Sequence, residues 1–424
     1  MNVLFLTHRL PYRPNRGDRV RAFHILRTLA EKAHVDLISL AHDDEEAGHA
    51  DDLRQVARSV TVAPVGRLRN LARVGPALLR GTPLTHVLLD SAGMTGAIAE
   101  VARVHPPDVV LAFCSGMARF ALHPALRERG LVVDLVDVDS RKWQDLACQT
   151  APPKRWIYAR EARRLARFER FIAGRASATL VVNAREAELA TTLAPEAAVH
   201  VVPNGLDVDA LRPSAVTARP RQIVFCGVMS YEPNAQAARW FLEEVWPSLR
   251  RLEPSATVAI VGADPPAWLK RLAEGEPRVT VTGSVEDVRP FLWTSSVSVA
   301  PLWVARGVQN KVLEAAAAGL PSVVTPAVHD GLPAEVLPVC RVAGSADTFV
   351  SELASLLRQS DEERAALMNR VDLEPLEWRR RLADLWPILE RAVGPAAATR
   401  GRLQPERSNP AEFPTWSASP QRPR

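Results

Sequence analysis

The sequence lacks the features of membrane-spanning, disulfide-bonded and zinc-binding proteins. In 424 residues, no apolar run approaches the ~18 residues of a membrane span. The first residues, MNVLFLTHRL, are too short for a signal peptide. The four cysteines lie far apart, without a Cys-x-x-Cys pair or a histidine at metal-ligand spacing. We therefore expect a cytoplasmic protein with reduced, packing cysteines.

Lysine and aromatic residues are also scarce. Of 53 basic residues, only positions 32, 142, 154, 270 and 311 are lysine, and aromatic residues are 6% of the chain. The net charge of +5 suits nucleic acid, anionic lipid or phosphorylated ligands equally well. Because no nucleic-acid recognition motif or stacking platform is present, we expect no nucleic acid partner. A lysine at 311, in a chain that otherwise favours arginine, indicates a need for a compact, rotatable ammonium.

Several common catalytic signatures are missing. The chain has no Gly-x-Gly-x-x-Gly after a strand, no Walker loop and no Gly-x-Ser-x-Gly, which disfavours ordinary dehydrogenases, P-loop NTPases and α/β-hydrolases. Asp137-Val138-Asp139 and Asp207-Val208-Asp209 both match the Asp-x-Asp pattern that holds a metal and a nucleotide diphosphate in some enzymes. Since two matches to so short a pattern specify little, we expect neither a bound metal nor another cofactor.

Short β-type apolar runs alternate with helical patterns along the whole chain. The runs are VLFLT, VDLISL, SVTVAPV, DVVLAF, LVVDLVDV, ATLVV and VHVVP, then QIVFCG, TVAIVG, RVTVTG, SVSVAP, PSVVT and PVCRVA. Buried strands separated by helices predict α/β domains with doubly wound parallel sheets. We predict two Rossmann-like domains at 1–203 and 204–375, a C-terminal helix at 376–393 returning to the first domain, and a disordered tail at 394–424.

The stretch ARGVQNKVLEAAAAGLPSVVT predicts a loop, a short helix and a buried strand. Arg306 lies just before the helix, Lys311 in its first turn, and Glu314 on the same face three residues later. Free N–H groups and the positive dipole end at such a terminus favour an anion such as phosphate. The alternative is an exposed Lys311–Glu314 pair on a packing helix.

Two further segments are rich in arginine. The loop after the first strand contains arginines 9, 13, 16, 19 and 21 and leads through Gly17 and Asp18 into a helix. This is where open α/β sheets bind ligands, so we favour an anion site over solvated side chains. The segment 154–175 has eight Lys or Arg, two Glu and interleaved apolar residues. It suits peripheral contact with anionic membrane, or packing of its apolar stripe on the sheet.

Several stretches together resemble retaining glycosyltransferases of family 4, which have the GT-B fold of two Rossmann-like domains facing a cleft. They are VVPNGLDVDAL at the domain junction, RGVQNKVLEAAAAGLPSVVT and the glycine-containing first loop. THRLPYRPNRGDRVRAFHILR, VDVDSRKWQDLA and FCGVMSYEPNAQAARWF further resemble the sugar transferases associated with exosortase (PEP-CTERM) systems.

The resemblance implies roles for residues of the second domain. Glu314 matches the second Glu of the family's Glu-x7-Glu motif, which accepts hydrogen bonds from the donor ribose, whereas the first Glu is replaced by Arg306. The basic pair that usually grips the diphosphate is missing from GVMSYEPN, which begins at Gly227. We therefore expect Arg306 and Lys311 to stabilise the leaving diphosphate. The expected donor-binding residues are Gly17, Gly227, Asn310, Lys311 and Glu314.

In the first domain, we expect acceptor-side contacts at Arg9, Asp18, Ser115, Asp139 and Lys142. Structural capping is an equal alternative for Asp139. No catalytic base is evident, and the family is thought to use the leaving phosphate itself as the base.

The sequence therefore predicts a hexosyltransferase-like glycosyltransferase. It would move a sugar from a nucleotide-sugar donor to a glycan or lipid-linked acceptor in exopolysaccharide or envelope glycan biosynthesis, with retention and without metal. We expect it in the cytoplasm, with peripheral contact at the inner face of the cell membrane through residues 154–175. The alternative is a non-catalytic nucleotide-sugar-binding partner of another transferase.

Overall fold

A computed structural model describes residues 1–12, 17–212, 221–305 and 308–393. The side chains of residues 17, 18 and 149 are not described. The predictions for Arg13, Arg16, Arg306 and the tail at 394–424 therefore lie outside the described residues. The chain divides into two compact units, residues 1–204 with 381–393 and residues 205–380.

The first unit is built on a seven-stranded parallel sheet, and all seven runs predicted in this half form strands. The sheet has the order β3-β2-β1-β4-β5-β6-β7. Its strands are β1 Asn2–Thr7, β2 His34–Ala41, β3 Ser59–Pro64, β4 Val109–Phe113, β5 Gly130–Val136, β6 Ala178–Val181 and β7 Val199–Val201. The central strands β1 and β4 are almost wholly buried because helices cover both faces of the sheet.

The second unit has a six-stranded parallel sheet, again formed by every predicted run. The order is β10-β9-β8-β11-β12-β13. Its strands are β8 Gln222–Cys226, β9 Thr257–Val261, β10 Val279–Val281, β11 Val297–Ala300, β12 Ser322–Val324 and β13 Cys340–Val342. Both sheets therefore have the doubly wound order of Rossmann-like domains, in which ligands bind beyond the strand carboxyl ends where the order reverses. That point lies between β1 and β4 in one sheet and between β8 and β11 in the other.

Helices connect the strands. In the first unit they are α1 Gly17–Ala30, α2 Asp44–Gly48, α3 Ala50–Leu53, α4 Arg67–Ala72, α5 Val74–Arg80, α6 Leu84–Leu88, α7 Gly93–Val104, α8 Ser115–Ala118, α9 Asp139–Gln149, α10 Lys154–Arg175 and α11 Ala184–Leu193. The following segment contains α12 Val208–Leu211, α13 Glu232–Trp240, α14 Trp246–Leu252, α15 Ala267–Glu274, α16 Arg289–Trp293, α17 Asn310–Ala317, α18 Pro326–His329, α19 Ala346–Arg358 and α20 Asp361–Met368. A π-helical segment, Phe241–Val245, joins α13 to α14. No helix in the described ranges is both long and apolar enough to cross a membrane.

The C-terminal segment forms two helices where the sequence predicts one. They are α21 Trp378–Arg381 and α22 Leu385–Val393. Pro387 accounts for the break, because proline has no backbone N–H and its ring clashes with the carbonyl four residues earlier in a continuous helix. Proline is tolerated in a first turn, so the helix restarts at Leu385 and packs on β4 and β5 of the first unit.

Candidate functional site

In the second unit, α17 presents Lys311 and Glu314 beside the carboxyl ends of β8 and β11. Its other face buries Val312, Leu313 and Ala315 in the core. That burial fixes the rotation of the helix, so the two charged residues, three apart, share the remaining face. Asn310, the first helical residue, is exposed. Arg306 lies outside the described residues.

The amine of Lys311 is held in place from two sides. Its Nζ donates a hydrogen bond of 2.6 Å to Oδ1 of Asn234 and lies 4.7 Å from the centre of the Phe225 ring. Burial lowers the pKa of Lys311 to about 8, although Cys226 and Glu314 act in the opposite direction. The amine is therefore a positioned, poorly solvated cation, which an anionic ligand would stabilise.

Glu314 complements this lysine as an acceptor. Burial raises the pKa of its carboxyl to about 7, with Lys311 acting against the rise. Within the described part of the chain, no group donates a hydrogen bond to this carboxylate. It is thus available to accept hydrogen bonds from a bound hydroxyl group, one helical turn from the Lys311 amine.

Two glycines allow the backbone to approach the lysine closely. A Cβ on Gly227 would lie 2.8 Å from Nδ2 of Asn234 and 3.1 Å from Nζ of Lys311. Gly262, just after β9, has φ of +152° and packs against the carbonyl oxygen of Gly227, where a Cβ would overlap it. Gly262 needs glycine because its Cβ would overlap backbone, whereas a Cβ on Gly227 would press on the ends of the Asn234 and Lys311 side chains.

Asn234 is a residue of this site that the sequence analysis missed. It lies in the first turn of α13, is 7% exposed, and donates through Nδ2 to the carbonyl of Val228 at 3.0 Å. This second hydrogen bond orients the amide, so that Oδ1 points at Lys311. The available signal was a polar residue in the first helical turn after the β8 glycine, where a nucleotide-binding group is common.

In the first unit, Ser115 and Asp139 meet at the carboxyl ends of β4 and β5. The Ser115 hydroxyl donates to Oδ2 of Asp139 at 2.7 Å. Burial raises the pKa of Asp139 despite this hydrogen bond, and it raises the pKa of the neighbouring Glu169 to about 7. Lys142 is exposed on α9 and acts electrostatically on Asp139. The structure thus brings three of the predicted acceptor-side residues to one sheet edge.

The same sheet edge has an unusual backbone. Cys114, directly after β4, and Val136, the last residue of β5, have φ of 71° and 65°. Such values are unfavourable for non-glycine residues and most unfavourable for β-branched ones. Buried Asp134 supports the bend by accepting from the Val136 N–H at 3.0 Å and from Arg21 Nε at 2.8 Å. Strain retained in this way is common at functional sites.

The described arginines of the first loop, Arg9, Arg19 and Arg21, have carboxylate partners within the unit. Arg9 and Arg19 lie 3.5 and 3.3 Å from the carboxylate of Glu46, which is 1% exposed. Glu46 also accepts from the backbone N–H groups of Leu10 and His42. Gly17 and Asp18 are the first residues of α1, but the side chain of Asp18 is not described. Arginines that the sequence predicted to bind an anion in this loop thus already pair with a buried carboxylate, Glu46, which the sequence did not reveal.

The Asp-x-Asp matches form no metal cluster among the described residues. No group of three or more His, Cys, Asp or Glu there is placed to hold a metal ion. Asp207 instead caps α12 by accepting from the Ala210 N–H at 3.1 Å.

The fold is that of a two-domain α/β protein, with Lys311 and Glu314 at the sheet edge of its second unit and Ser115 and Asp139 at that of its first. Family comparisons name the class. A model described as a glycosyl transferase 4-like domain matches residues 16–205, and one described as glycosyl transferases group 1 matches residues 220–359. The chain therefore carries the two domains of a GT-B glycosyltransferase. No curated protein matches the chain.

Solved structures with the same fold cover nearly the whole chain at low identity. HepE from Anabaena in complex with UDP and glucose is 15% identical with a TM-score of 0.61, covering 92% of this chain and 99% of that one. Sucrose-phosphate synthase from Thermosynechococcus elongatus is 14% identical with a TM-score of 0.59, over 92% and 98%. WaaG, a glycosyltransferase involved in lipopolysaccharide biosynthesis, is 18% identical with a TM-score of 0.55, over 94% and 99%.

Proposed function

We propose that this glycosyltransferase transfers a sugar from a nucleoside-diphosphate sugar bound in its second domain. The observation that carries the proposal is the pairing of Lys311 with Glu314 on α17, beside Gly227. A sugar leaves its nucleotide only if the charge developing on the diphosphate is stabilised. The Lys311 ammonium and the N-terminus of α17 supply that stabilisation, and Glu314 accepts hydrogen bonds from the ribose. HepE has been solved with UDP and with UDP-glucose, which supports a nucleotide-sugar donor.

We further propose transfer with retention and without metal, in exopolysaccharide or envelope glycan biosynthesis of the exosortase-associated type. The resemblance of the first-loop and helix motifs to family 4 supports this proposal. The acceptor, a glycan or a lipid-linked glycan, is assigned to the first domain, where Ser115 and Asp139 lie at the edge of the sheet. Peripheral membrane contact belongs to the same proposal.

Thermal unfolding with UDP, GDP, ADP and TDP, each with magnesium or with EDTA, tests the donor site. A ligand at ~100 times its dissociation constant stabilises the fold by about 2.7 kcal/mol. We expect one base to give the largest shift and EDTA to leave that shift unchanged. If EDTA abolishes it, the proposal of metal independence is wrong, and if no nucleotide shifts the melting temperature, the proposed donor site is wrong.

The second candidate is a non-catalytic nucleotide-sugar-binding partner of another transferase. The replacement of the family's first Glu by Arg306 favours it, because that carboxylate usually contacts the sugar. The two candidates differ in turnover. Release of the nucleoside diphosphate from the matching nucleotide sugar, with or without an added acceptor extract, excludes the non-catalytic role, whereas tight binding without release supports it.

A further inference from the structure

The helices between β3 and β4, together with the start of α10, carry an unusual concentration of exposed apolar side chains. Among the described residues, five large hydrophobic side chains are more than 60% exposed, and four of them are Leu68, Leu71, Leu79 and Trp156. Leu79 is 91% exposed and Leu68 is 86% exposed. Single exposed leucines are ordinary, but such clustering marks an interaction surface.

Leu79 and Trp156 belong to one surface because α5 is fixed to α10, and α4, which carries Leu68 and Leu71, contacts α5. Arg160 of α10 donates through Nε to the carbonyl of Leu78 at 3.1 Å and through Nη2 to that of Thr82 at 3.2 Å. Leu79 therefore lies beside the Arg160 anchor. Trp156 and Ile157, one turn before Arg160 on the same helix face, are also exposed. We call residues 67–80 with residues 154–160 the leucine–arginine surface.

The helices are anchored through their other faces. Asn70, which is fully buried, donates from α4 to the carbonyls of Leu88 and Asp90 at 3.1 and 2.7 Å. Glu161, 1% exposed, accepts from the backbone N–H groups of Leu84 and Thr85 at 2.7 and 2.8 Å. The leucines therefore protrude from a fixed support, and their exposure is a property of the folded unit.

The charge on this surface is mainly positive. Residues 65–89 contain four arginines and no Asp or Glu, and residues 154–164 contain five basic residues with a single acidic one, the buried Glu161. Asp90, just beyond the first range, forms ion pairs with Arg69 and Arg73, so the remaining positive charge is carried mainly by the exposed Arg67, Arg80, Lys154 and Arg155. Protruding leucines flanked by arginines on short helices suit the interface of an anionic bilayer, where the apolar tips enter the acyl boundary and the guanidinium groups reach the headgroups.

We propose that the leucine–arginine surface docks on a bilayer that contains anionic phospholipid. This differs from the contact predicted along residues 154–175. Leu165, Phe168 and Ile172 of that helix are buried in the first unit, so packing on the sheet is the correct interpretation for its second half. Only the first turns of α10 contribute, and most of the surface comes from α4 and α5.

Vesicle sedimentation of the ligand-free protein tests the proposal independently of nucleotide binding or turnover. We expect binding to vesicles of phosphatidylglycerol and phosphatidylcholine in equal parts, little binding to phosphatidylcholine alone, and weaker binding at high salt. The triple variant L68S/L71S/L79S should bind these vesicles at least about tenfold more weakly than the wild type. The control V104S/L252S/V342S replaces three exposed apolar residues elsewhere and should bind like the wild type.

A second pair of variants separates the role of charge. R67Q/R80Q should weaken binding, whereas R127Q/R129Q, which removes two exposed arginines outside the surface, should not. Thermal unfolding confirms that each variant is folded. The proposal is wrong if the wild type fails to bind anionic vesicles, or if L68S/L71S/L79S binds them as well as the control. Loss of self-association in that variant, with no vesicle binding by the wild type, would identify the surface as a protein interface instead.

Discussion

Replacing Lys311 with methionine separates its proposed role in binding from its effect on folding. The lowering of its pKa from an ordinary 10.5 to about 8 corresponds to about 3 kcal/mol by which burial disfavours the charged amine. Methionine removes this cost but leaves Oδ1 of the buried Asn234 without its hydrogen bond. An unsatisfied buried acceptor costs about 1 to 3 kcal/mol. The two effects nearly cancel, so the melting temperature of the ligand-free protein should change little.

Binding, by contrast, has no such compensation. A charge-assisted hydrogen bond to the diphosphate contributes about 1.5 to 3 kcal/mol. Lys311→Met should therefore weaken the binding of the preferred nucleoside diphosphate by about tenfold to a hundredfold. Isothermal titration calorimetry measures this loss. Lys270→Met is the matched control, because Lys270 is an exposed lysine of the same unit.

The pH dependence gives a sharper test of the same reasoning. Since the folded-state pKa of Lys311 is lowered, the cost of burying its charge is fully present below about pH 8 and disappears as pH rises from there toward 10.5. A diphosphate binds the protonated amine, so wild-type affinity should fall above about pH 8, by up to about tenfold per pH unit. Lys311→Met should lack this fall. Unchanged nucleotide affinity in Lys311→Met, or the same fall in both proteins, would refute the assignment.

Three other changes test the packing around the sites. Because burial raises the pKa of Glu314 to about 7, its carboxylate reduces stability increasingly as pH rises from 4.5 to 7, and by a constant amount above that. Glu314→Gln should therefore raise the melting temperature by an amount that grows from about pH 4.5 to 7 and then stays constant, and it should weaken the binding of nucleoside diphosphate but not of inorganic diphosphate. Glu46→Gln should lower the free energy of unfolding in urea by about 3 to 5 kcal/mol, because Arg9 and Arg19 lose their buried partner, while the exposed Glu45→Gln should stay within about 0.5 kcal/mol. Gly262→Ala forces a Cβ onto the Gly227 carbonyl oxygen and should cost more than about 1 kcal/mol and reduce nucleotide binding, whereas Gly275→Ala, with open space around its position, should do neither.

The fold was predictable because its strands are short, apolar and separated by helices. Every run singled out in the sequence forms a strand, and parallel connection follows from burial on both faces. The break before Leu385 was not predicted, although Pro387 contained the necessary information. There the leucine spacing suggested one helix, and the backbone restriction of proline outweighed it.

The arrangement of the candidate site was predictable where its residues lie on one helix, and not where distant segments meet. Lys311 and Glu314 share a face because of their spacing alone. The surroundings of Lys311 come from strands and helices some 80 residues away in the chain: its amine contacts Phe225 and Asn234, and Cys226 acts on its pKa. Likewise, no local pattern could pair Arg21 with Asp134 or Arg9 with Glu46. Such pairs are fixed by sheet order, which local periodicity does not specify.

The surroundings of Lys311 suggest why a lysine is tolerated where the fold disfavours its charge. A basic residue on the loop after β8 would meet the diphosphate from solvent and bear little desolvation cost. Lys311 instead reaches the same backbone edge from α17, and is held there by Asn234 before any ligand arrives. Because the amine is already oriented and poorly solvated, an anion gains the interaction without first ordering a flexible side chain or displacing its full hydration shell. The desolvation cost of the charged Lys311 amine in the ligand-free protein is therefore the physical source of the expected affinity for an anion. Because Asn234 orients this amine, Asn234→Ala should weaken diphosphate binding even though Asn234 need not contact the ligand.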